Sequence, residues 1–209
     1  MKKNIDKILV LLTIFVVALL STIVLSIDLV GKKNIQLNNT LAFGRQDADL
    51  KIVVFEDFQC KYCKKYSQEF FPRIKAKYID TGIISYELVP LAFIYGSRPV
   101  ANAAIAIYEL YNDKFFEFID KISDESVKID SKEEVLDIIK TMQGIDLKVF
   151  EDFLKMDIFE DYLENNFDYA HKIMPSFKVP SAYINGEIVK VDELEKSIDE
   201  IISYREMNK

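Results

Sequence analysis

The chain has 209 residues, 50% of them hydrophobic, so it can bury the core of about one domain once any N-terminal segment is set aside. The formal net charge is −7 and no basic stripe is visible, which argues against nucleic acid as a partner. With two cysteines, the sequence lacks the several pairs that a small secreted scaffold held by disulfides requires.

The N-terminal region predicts a membrane-spanning helix. Residues 8–27 form a run of 20 positions without an acidic or basic side chain, about the length that crosses the hydrocarbon core. A signal-peptide core is shorter, so we favour an uncleaved anchor over a cleaved signal. Lysines before the run place the rest of the chain outside the cytoplasm, where disulfides persist. We assign residues 1–30 to this signal anchor or signal peptide and the polar residues 31–40 to a linker.

The next elements alternate between strand and helix. The compact apolar run 50–55 contains β-branched residues and predicts a buried strand. Residues 60–78 predict a helix that Pro72 kinks or restarts. Residues 83–88 predict a second strand, which Pro90 ends.

The middle of the chain predicts several helices. Residues 100–111 are rich in Ala, Ile and Leu, and Ser131 with Glu134 has the form of a capping box. Gly144 is a natural helix stop, and Asp146 can cap the helix that follows. A further helix is indicated by an apolar stripe at helical spacing, a pattern typical of core packing. The stripe consists of Phe159, Leu163, Phe167 and Ala170.

The C-terminal part returns to strand. Residues 181–184 and 187–190 flank an Asn-Gly pair, the strongest short-range signal of a β-hairpin. Asp192 with Glu195 predicts a second capping box, followed by a terminal helix. Its apolar face consists of Leu194, Ile198, Ile201 and Ile202. The order of elements predicts a mixed sheet of about four strands, with a helical insertion before the hairpin.

Cys60 and Cys63 stand in the stretch FEDFQCKYC, after the first strand and at the start of a helix. A zinc site needs four ligands, and the chain adds only His171 to the two thiols. Covalent haem attachment needs a histidine at the position of Lys64, and a four-cysteine iron–sulfur cluster would need a partner chain. We therefore expect no metal ion and no other cofactor, and we assign no catalytic role to His171.

Redox chemistry fits the cysteine pair better. A cysteine at a helix N-terminus faces unpaired N–H groups and the positive end of the helix dipole, which favour its thiolate. A spacing of three residues covers one helical turn, about the separation that a disulfide requires. Cys60 is therefore predicted to be the exposed nucleophile. Cys63 is predicted to be the resolving thiol that attacks the mixed disulfide and releases the substrate.

Four neighbouring residues are candidates for tuning the pair. Lys61 can favour the Cys60 thiolate through its positive charge, or it can be a solvated surface lysine. Tyr62 can belong to an apolar docking surface for unfolded chains or simply pack locally. Glu56 and Asp57 can assist proton transfer, although we favour turn chemistry after the strand for both residues.

A second signal lies in FKVPSAYING, where Pro180 precedes a predicted strand. Such a proline is either cis in a tight turn or an ordinary trans proline. In three stretches the chain resembles the DsbA-like branch of the thioredoxin superfamily, roughly over residues 43–203. These stretches are GRQDADLKIVVFEDFQCKYC (44–63), FFPRIKAKYIDTGIISYELVPL (70–91) and VPSAYING (179–186).

The resemblance implies an α/β, thioredoxin-like fold with an inserted helical domain, preceded by the N-terminal transmembrane or signal helix. Residues 41–92 and 174–205 would form the thioredoxin-like domain, and residues 93–173 the inserted helical domain. It further implies that Pro180 is cis and that the backbone of Val179 pairs with a substrate peptide as an added strand. The sequence departs from the family by carrying Lys178-Val179 where Gly-Thr is frequent. A second departure is Val54, which stands at the position where thioredoxins keep a buried carboxylate.

The implied function is that of an exported thiol-disulfide oxidoreductase that passes a Cys60–Cys63 disulfide to cysteine-containing exported proteins. A quinone-linked membrane partner would re-oxidise it. The expected location is the cell membrane with an extracytoplasmic catalytic domain, or the periplasm or medium if the N-terminal segment is cleaved. One alternative is a membrane-tethered thiol reductase. Another is a tethered binding or adaptor domain whose disulfide is purely structural.

Overall fold

A five-stranded mixed sheet stands at the centre of the computed structural model, which describes residues 40–124, 126–127, 129–156 and 159–208. The strands are β1 (Leu41–Gly44), β2 (Lys51–Asp57), β3 (Ser85–Leu91), β4 (Ser181–Ile184) and β5 (Glu187–Val189). Their order across the sheet is β1–β3–β2–β4–β5. β2 and β3 run parallel, and the other neighbouring pairs run antiparallel. The mixed sheet expected from the sequence is confirmed.

The predicted anchor, residues 1–30, lies outside the described residues, as do residues 31–39 of the predicted linker. Within the described ranges, no helix is both long and apolar enough to cross a membrane. The anchor and its orientation therefore stay predictions.

β2 lies in the middle of the sheet and carries the residues that lead to the cysteine pair. Every residue of β2 after Lys51 is buried, because β3 and β4 flank the strand and helices cover the sheet. The strand continues past the predicted end at residue 55 and includes Glu56 and Asp57. β2 therefore delivers two buried carboxylates to the edge of the sheet where the Cys60 turn begins.

α1 covers residues 61–79, and its second α-helical segment begins beside Pro72, where the sequence predicts a kink or restart. It is α-helical at Lys61–Lys65, π-helical at Tyr66–Phe70, α-helical again at Phe71–Ile74, and π-helical at Lys75–Ile79. The first π-helical turn ends two residues before Pro72, which has no N–H to donate to the preceding turn. The regular α-helical hydrogen bonding is therefore interrupted before Pro72, at Tyr66–Phe70.

Further helices lie between β3 and β4, where the sequence predicts a helical insertion. They are α2 (Ser97–Leu110), α3 (Phe115–Ser123), α4 (Lys132–Lys140), α5 (Leu147–Phe153) and α6 (Phe159–Ile173), and α7 (Leu194–Met207) follows the hairpin. The capping box of Ser131 and Glu134 is confirmed, and Asp146 caps α5 by accepting the N–H groups of Lys148 and Val149. The division into two domains stays a prediction.

Two sequence predictions about the sheet need correction. Pro90 does not end β3, which continues to Leu91. β1 pairs with β3 only as far as Leu88, so beyond that residue one side of β3 needs no backbone donor and tolerates a proline. The sequence also missed β1, because a four-residue edge strand has too short an apolar pattern to stand out.

Two predictions about helices were also wrong. Phe167 is not a core residue: its side chain is 36% exposed and packs against aromatic rings at the surface. Asp192 and Glu195 do not form a capping box, because α7 begins after Glu193, without a side-chain cap. Glu195 instead forms an ion pair with Arg73 of α1 at 2.8 Å. The Asn-Gly hairpin is confirmed, with both turn residues at positive φ.

Candidate active site

Cys60 occupies the N-cap position of α1, and Cys63 lies one turn inside the helix. The backbone N–H of Cys60 donates to the carbonyl oxygen of Asp57 at 2.8 Å, which closes a tight turn between β2 and α1. Both thiols are in the reduced form; Cys60 is partly exposed and Cys63 is fully buried. One turn of helix therefore separates a thiol that a partner can reach from one that it cannot.

The environments of the two thiols move their pKa values in opposite directions. A hydrogen bond from the Cys63 side chain, followed by hydrogen bonds from the N–H groups of Cys63 and Tyr62, lowers the pKa of Cys60 from 9.0 to about 6. Partial burial opposes this shift. Burial raises the pKa of Cys63 well above 9.0. At neutral pH the pair therefore consists of one thiolate and one thiol.

The loop before β4 faces the exposed thiol. The peptide bond between Val179 and Pro180 is cis, so this expectation from the resemblance is confirmed. Sγ of Cys60 lies 3.6 Å from the carbonyl oxygen of Val179, which accepts a hydrogen bond from the protonated form of this thiol. Val179 also packs against a buried cluster that includes Phe55 of β2 and Tyr183 of β4. The fold thus brings Cys60, Cys63, Val179 and Pro180 together.

Glu56 is a buried acid behind the cysteine pair. Its side chain is 3% exposed, and burial raises its pKa from 4.5 to about 8, against the opposing effect of a hydrogen bond from the Ser67 hydroxyl. That hydroxyl donates to Oε2 of Glu56 at 3.4 Å. A cavity of about 10 Å³, room for about one water molecule, is lined by Glu56, Ser67, Tyr86 and several phenylalanines. Glu56 is therefore protonated at neutral pH and does not take part in a turn.

Asp57 differs from its neighbour because its carboxylate accepts backbone hydrogen bonds. Oδ1 accepts the N–H of Gln59 at 2.9 Å, and Oδ2 accepts the N–H groups of Phe93 and Ile94 at 3.0 Å each. Burial raises the pKa of Asp57, and these hydrogen bonds oppose that shift. The interpretation that we favour from the sequence, a carboxylate that stabilises the turn after the strand, therefore holds for Asp57 and not for Glu56.

Four aromatic rings form a cluster beside the cis-proline loop, and the sequence did not single out this cluster. Phe177 lies at its centre, 5.1 Å from the ring of Phe93, 4.9 Å from Phe167 and 4.6 Å from His171. Phe177 lies in the stretch FKVPSAYING, two residues before Val179, so the sequence already placed it next to the cis-proline loop. Phe93 carried no such signal, because it follows β3 in an irregular loop.

A family model described as thioredoxin matches residues 36–203. The chain belongs to the thioredoxin family. A probable disulfide bond formation protein D from Bacillus anthracis is 31% identical over 215 residues, covering 94% of this chain and 97% of that protein. The crystal structure of Chlamydia trachomatis DsbA has a TM-score of 0.67 and 26% identity, covering 78% of this chain and 91% of that one. Oxidised BdbD from Bacillus subtilis shares the fold, with a TM-score of 0.66, 24% identity and coverage of 79% and 94%.

Within the thioredoxin family, the chain is a DsbA-like protein thiol-disulfide oxidoreductase. It differs from thioredoxins at Val54, where they keep a buried carboxylate. Glu56 follows Val54 by two residues in β2, so the two side chains lie on the same face of the sheet. Lys61 and Tyr62 are exposed, and the largest causes of the pKa shift of Cys60 do not include the side chain of Lys61. Their tuning roles stay predictions.

Proposed function

We propose that the protein is an exported disulfide donor, which passes a Cys60–Cys63 disulfide to cysteine-containing substrate proteins. The contrast between the two thiols carries this proposal, since the pKa of Cys60 is about 6 whereas that of Cys63 is raised. A stabilised thiolate stabilises the reduced form of the pair, and the corresponding disulfide is then a stronger oxidant. The pKa of Cys60 therefore favours donation of a disulfide over reduction of one.

The exchange proceeds in two steps through Cys60. A substrate thiolate attacks Sγ of Cys60 in the disulfide form; a mixed disulfide forms, and Cys63 leaves with the electron pair of the broken S–S bond. A second substrate thiolate then attacks the substrate sulfur of the mixed disulfide, and Cys60 leaves as a thiolate. The substrate loses two electrons and gains a disulfide, and the cysteine pair gains those two electrons.

Glu56 supplies the proton that Cys63 needs when it leaves. Burial raises the pKa of Cys63, so this sulfur is stable only as a thiol. Glu56 holds a proton at neutral pH and interacts electrostatically with Cys63. A Glu56→Gln variant should therefore exchange more slowly, by roughly 10- to 100-fold, and its pH profile should lack the contribution that ionisation of Glu56 near pH 8 adds to the ionisation of the substrate thiol. An exposed control, Glu164→Gln, should behave as wild type; identical pH profiles for all three proteins would refute this role.

The cis-proline loop positions the substrate. The carbonyl oxygen of Val179 lies beside Cys60, so a substrate strand that pairs with the Val179 backbone would place its cysteine next to Sγ of Cys60. The exposed Tyr62 and the aromatic cluster around Phe177 support an apolar docking surface next to this strand.

The apolar run 8–27 supports export and membrane attachment of the protein. Each catalytic cycle leaves two electrons on the cysteine pair, so continued donation needs an oxidant outside the cytoplasm. We assign this role to a quinone-linked membrane protein, next to which the predicted anchor would hold the catalytic domain.

The redox form of the protein in cells tests the proposed direction. Alkylation of thiols after acid quenching should show mostly oxidised protein. The Cys63→Ala variant, which has one cysteine, serves as the gel-mobility standard for a single alkylated thiol. A mostly reduced protein would instead support the thiol reductase. The same Cys63→Ala variant should trap mixed disulfides through Cys60, whereas Cys60→Ala should trap none. Absence of thiol-sensitive adducts would leave the tethered binding domain with a structural disulfide.

A further inference from the structure

Asp57 connects the turn before Cys60 to the loop after β3. Its side chain is fully buried, and its oxygens accept the N–H of Gln59 at 2.9 Å and those of Phe93 and Ile94 at 3.0 Å. Gln59 immediately precedes Cys60, whereas Phe93 and Ile94 belong to the loop after β3. One carboxylate therefore fixes the turn that carries the exposed thiol to a loop of the helical insertion.

The contacts continue from this loop to the cis-proline loop. The ring of Phe93 packs edge-on against Phe177 at 5.1 Å. Two residues later, the carbonyl oxygen of Val179 lies 3.6 Å from Sγ of Cys60. Asp57, Phe93, Phe177, Val179 and Cys60 therefore form a closed ring of contacts, which includes the exposed thiol and the Val179 backbone with which a substrate strand would pair.

We propose that Asp57 is a positioning residue, which sets the distance between Cys60 and the backbone of Val179. This distance determines whether a substrate strand can pair with Val179 and reach Cys60. The inference rests on the proposed function, because it assumes a substrate strand beside Val179. Such a strand must pair with Val179 and reach Cys60 at the same time, so its reaction depends on this distance. A small thiol reagent needs only Cys60, so its reaction does not.

Loss of the Asp57 charge and loss of its positioning role predict different effects on the reactions of Cys60. The negative charge of Asp57 raises the pKa of Cys60 slightly, so its loss would leave Cys60 at least as fully ionised and close to wild type in its intrinsic reactivity. Asparagine has the same shape, but it keeps one acceptor oxygen and turns an NH₂ group towards N–H donors. Asp57→Asn therefore loosens the ring of contacts without lowering the thiolate fraction of Cys60.

The experiment compares wild type, Asp57→Asn and Asp49→Asn in two reactions, at temperatures well below unfolding. Asp49 is exposed in the turn before β2, so its substitution removes the same charge without touching the ring of contacts. Disulfide exchange with a cysteine-containing peptide, measured in both directions, should be about 10- to 100-fold slower for Asp57→Asn. Alkylation of Cys60 by iodoacetamide should stay within about two-fold of the wild-type rate, because Cys60 is already mostly ionised at neutral pH. Asp49→Asn should match wild type in both reactions.

An unchanged peptide rate in Asp57→Asn, or an equal loss in both reactions, would overturn the inference and leave the proposed function intact. A wild-type protein that exchanged with the peptide in neither direction would overturn both. If Asp57→Asn does not fold, Phe93→Ala breaks the next link at a position that is 43% exposed. It should show the same selective loss of peptide exchange, and equal losses in both reactions would again refute the inference.

Discussion

The Cys60 thiol and the carbonyl oxygen of Val179 lie 3.6 Å apart, although 119 residues separate them in the chain. The sheet produces this proximity, because β2 and β4 are antiparallel neighbours with Phe55 opposite Ser181. The end of β2 and the start of β4 therefore lie at the same edge of the sheet. A substrate cysteine paired with the Val179 backbone would lie next to Cys60, which leaves readily as a thiolate because the pKa of its thiol is lowered.

The Cys63 side chain should control the acidity of Cys60. Its hydrogen bond is the largest cause of the low pKa of Cys60, so Cys63→Ala should raise that pKa from about 6 towards 9.0. Cys63→Ser keeps a hydroxyl donor and should keep the pKa near 6. Each variant has a single cysteine, so the pH dependence of iodoacetamide alkylation reports Cys60 alone. Equal midpoints in the two variants would show that the backbone N–H groups dominate.

The stability difference between the reduced and oxidised protein should depend on pH. The folded pKa of Cys60 is about 6, below its ordinary value of 9.0, so the reduced protein gains stability as pH rises from about 6 to about 9. The oxidised protein has no thiolate and lacks this gain. Urea unfolding of both forms should show that the free energy of unfolding of the reduced protein rises, relative to that of the oxidised protein, between about pH 5.5 and about pH 8. A reduced Cys60→Ser protein should show no such movement, and a pH-independent wild-type difference would contradict the prediction.

Local signals explain what the sequence could predict. β2, the capping box of α4 and the Asn-Gly hairpin depend on neighbouring residues, and the C-x-x-C pair indicates redox chemistry through its spacing and its position at the start of a helix. The partners of Asp57 could not be predicted, because Phe93 and Ile94 lie 36 and 37 residues away in an irregular loop. The sequence could not distinguish the surroundings of Glu56 from those of Asp57 for the same reason. Successive strand residues face opposite sides, and only the packed helices and loops determine what each side chain meets.

Gly44 should be intolerant of a side chain. It ends β1 with a φ of 73°, and a Cβ atom there would approach the carbonyl oxygen of Ile84. Gly82 has a similar φ of 69°, but a Cβ atom would have room. Gly82→Ala should therefore cost about 1 kcal/mol of unfolding free energy, and Gly44→Ala at least about 1 kcal/mol more, because backbone must move. Urea unfolding of both variants measures the difference, and equal costs would refute the close approach.

Glu56 should make the folded protein less stable as pH rises. Its folded pKa is about 8 against an ordinary value of 4.5, so its contribution is fully present below pH 4.5 and lost as pH rises through 8. Glu56→Gln removes this dependence and should gain on the order of 3 kcal/mol over wild type between about pH 5 and about pH 8. Urea unfolding at both pH values measures this gain. The exposed control Glu164→Gln should show none, and a Glu56→Gln curve parallel to that of wild type would mean that Glu56 is ionised in the folded protein.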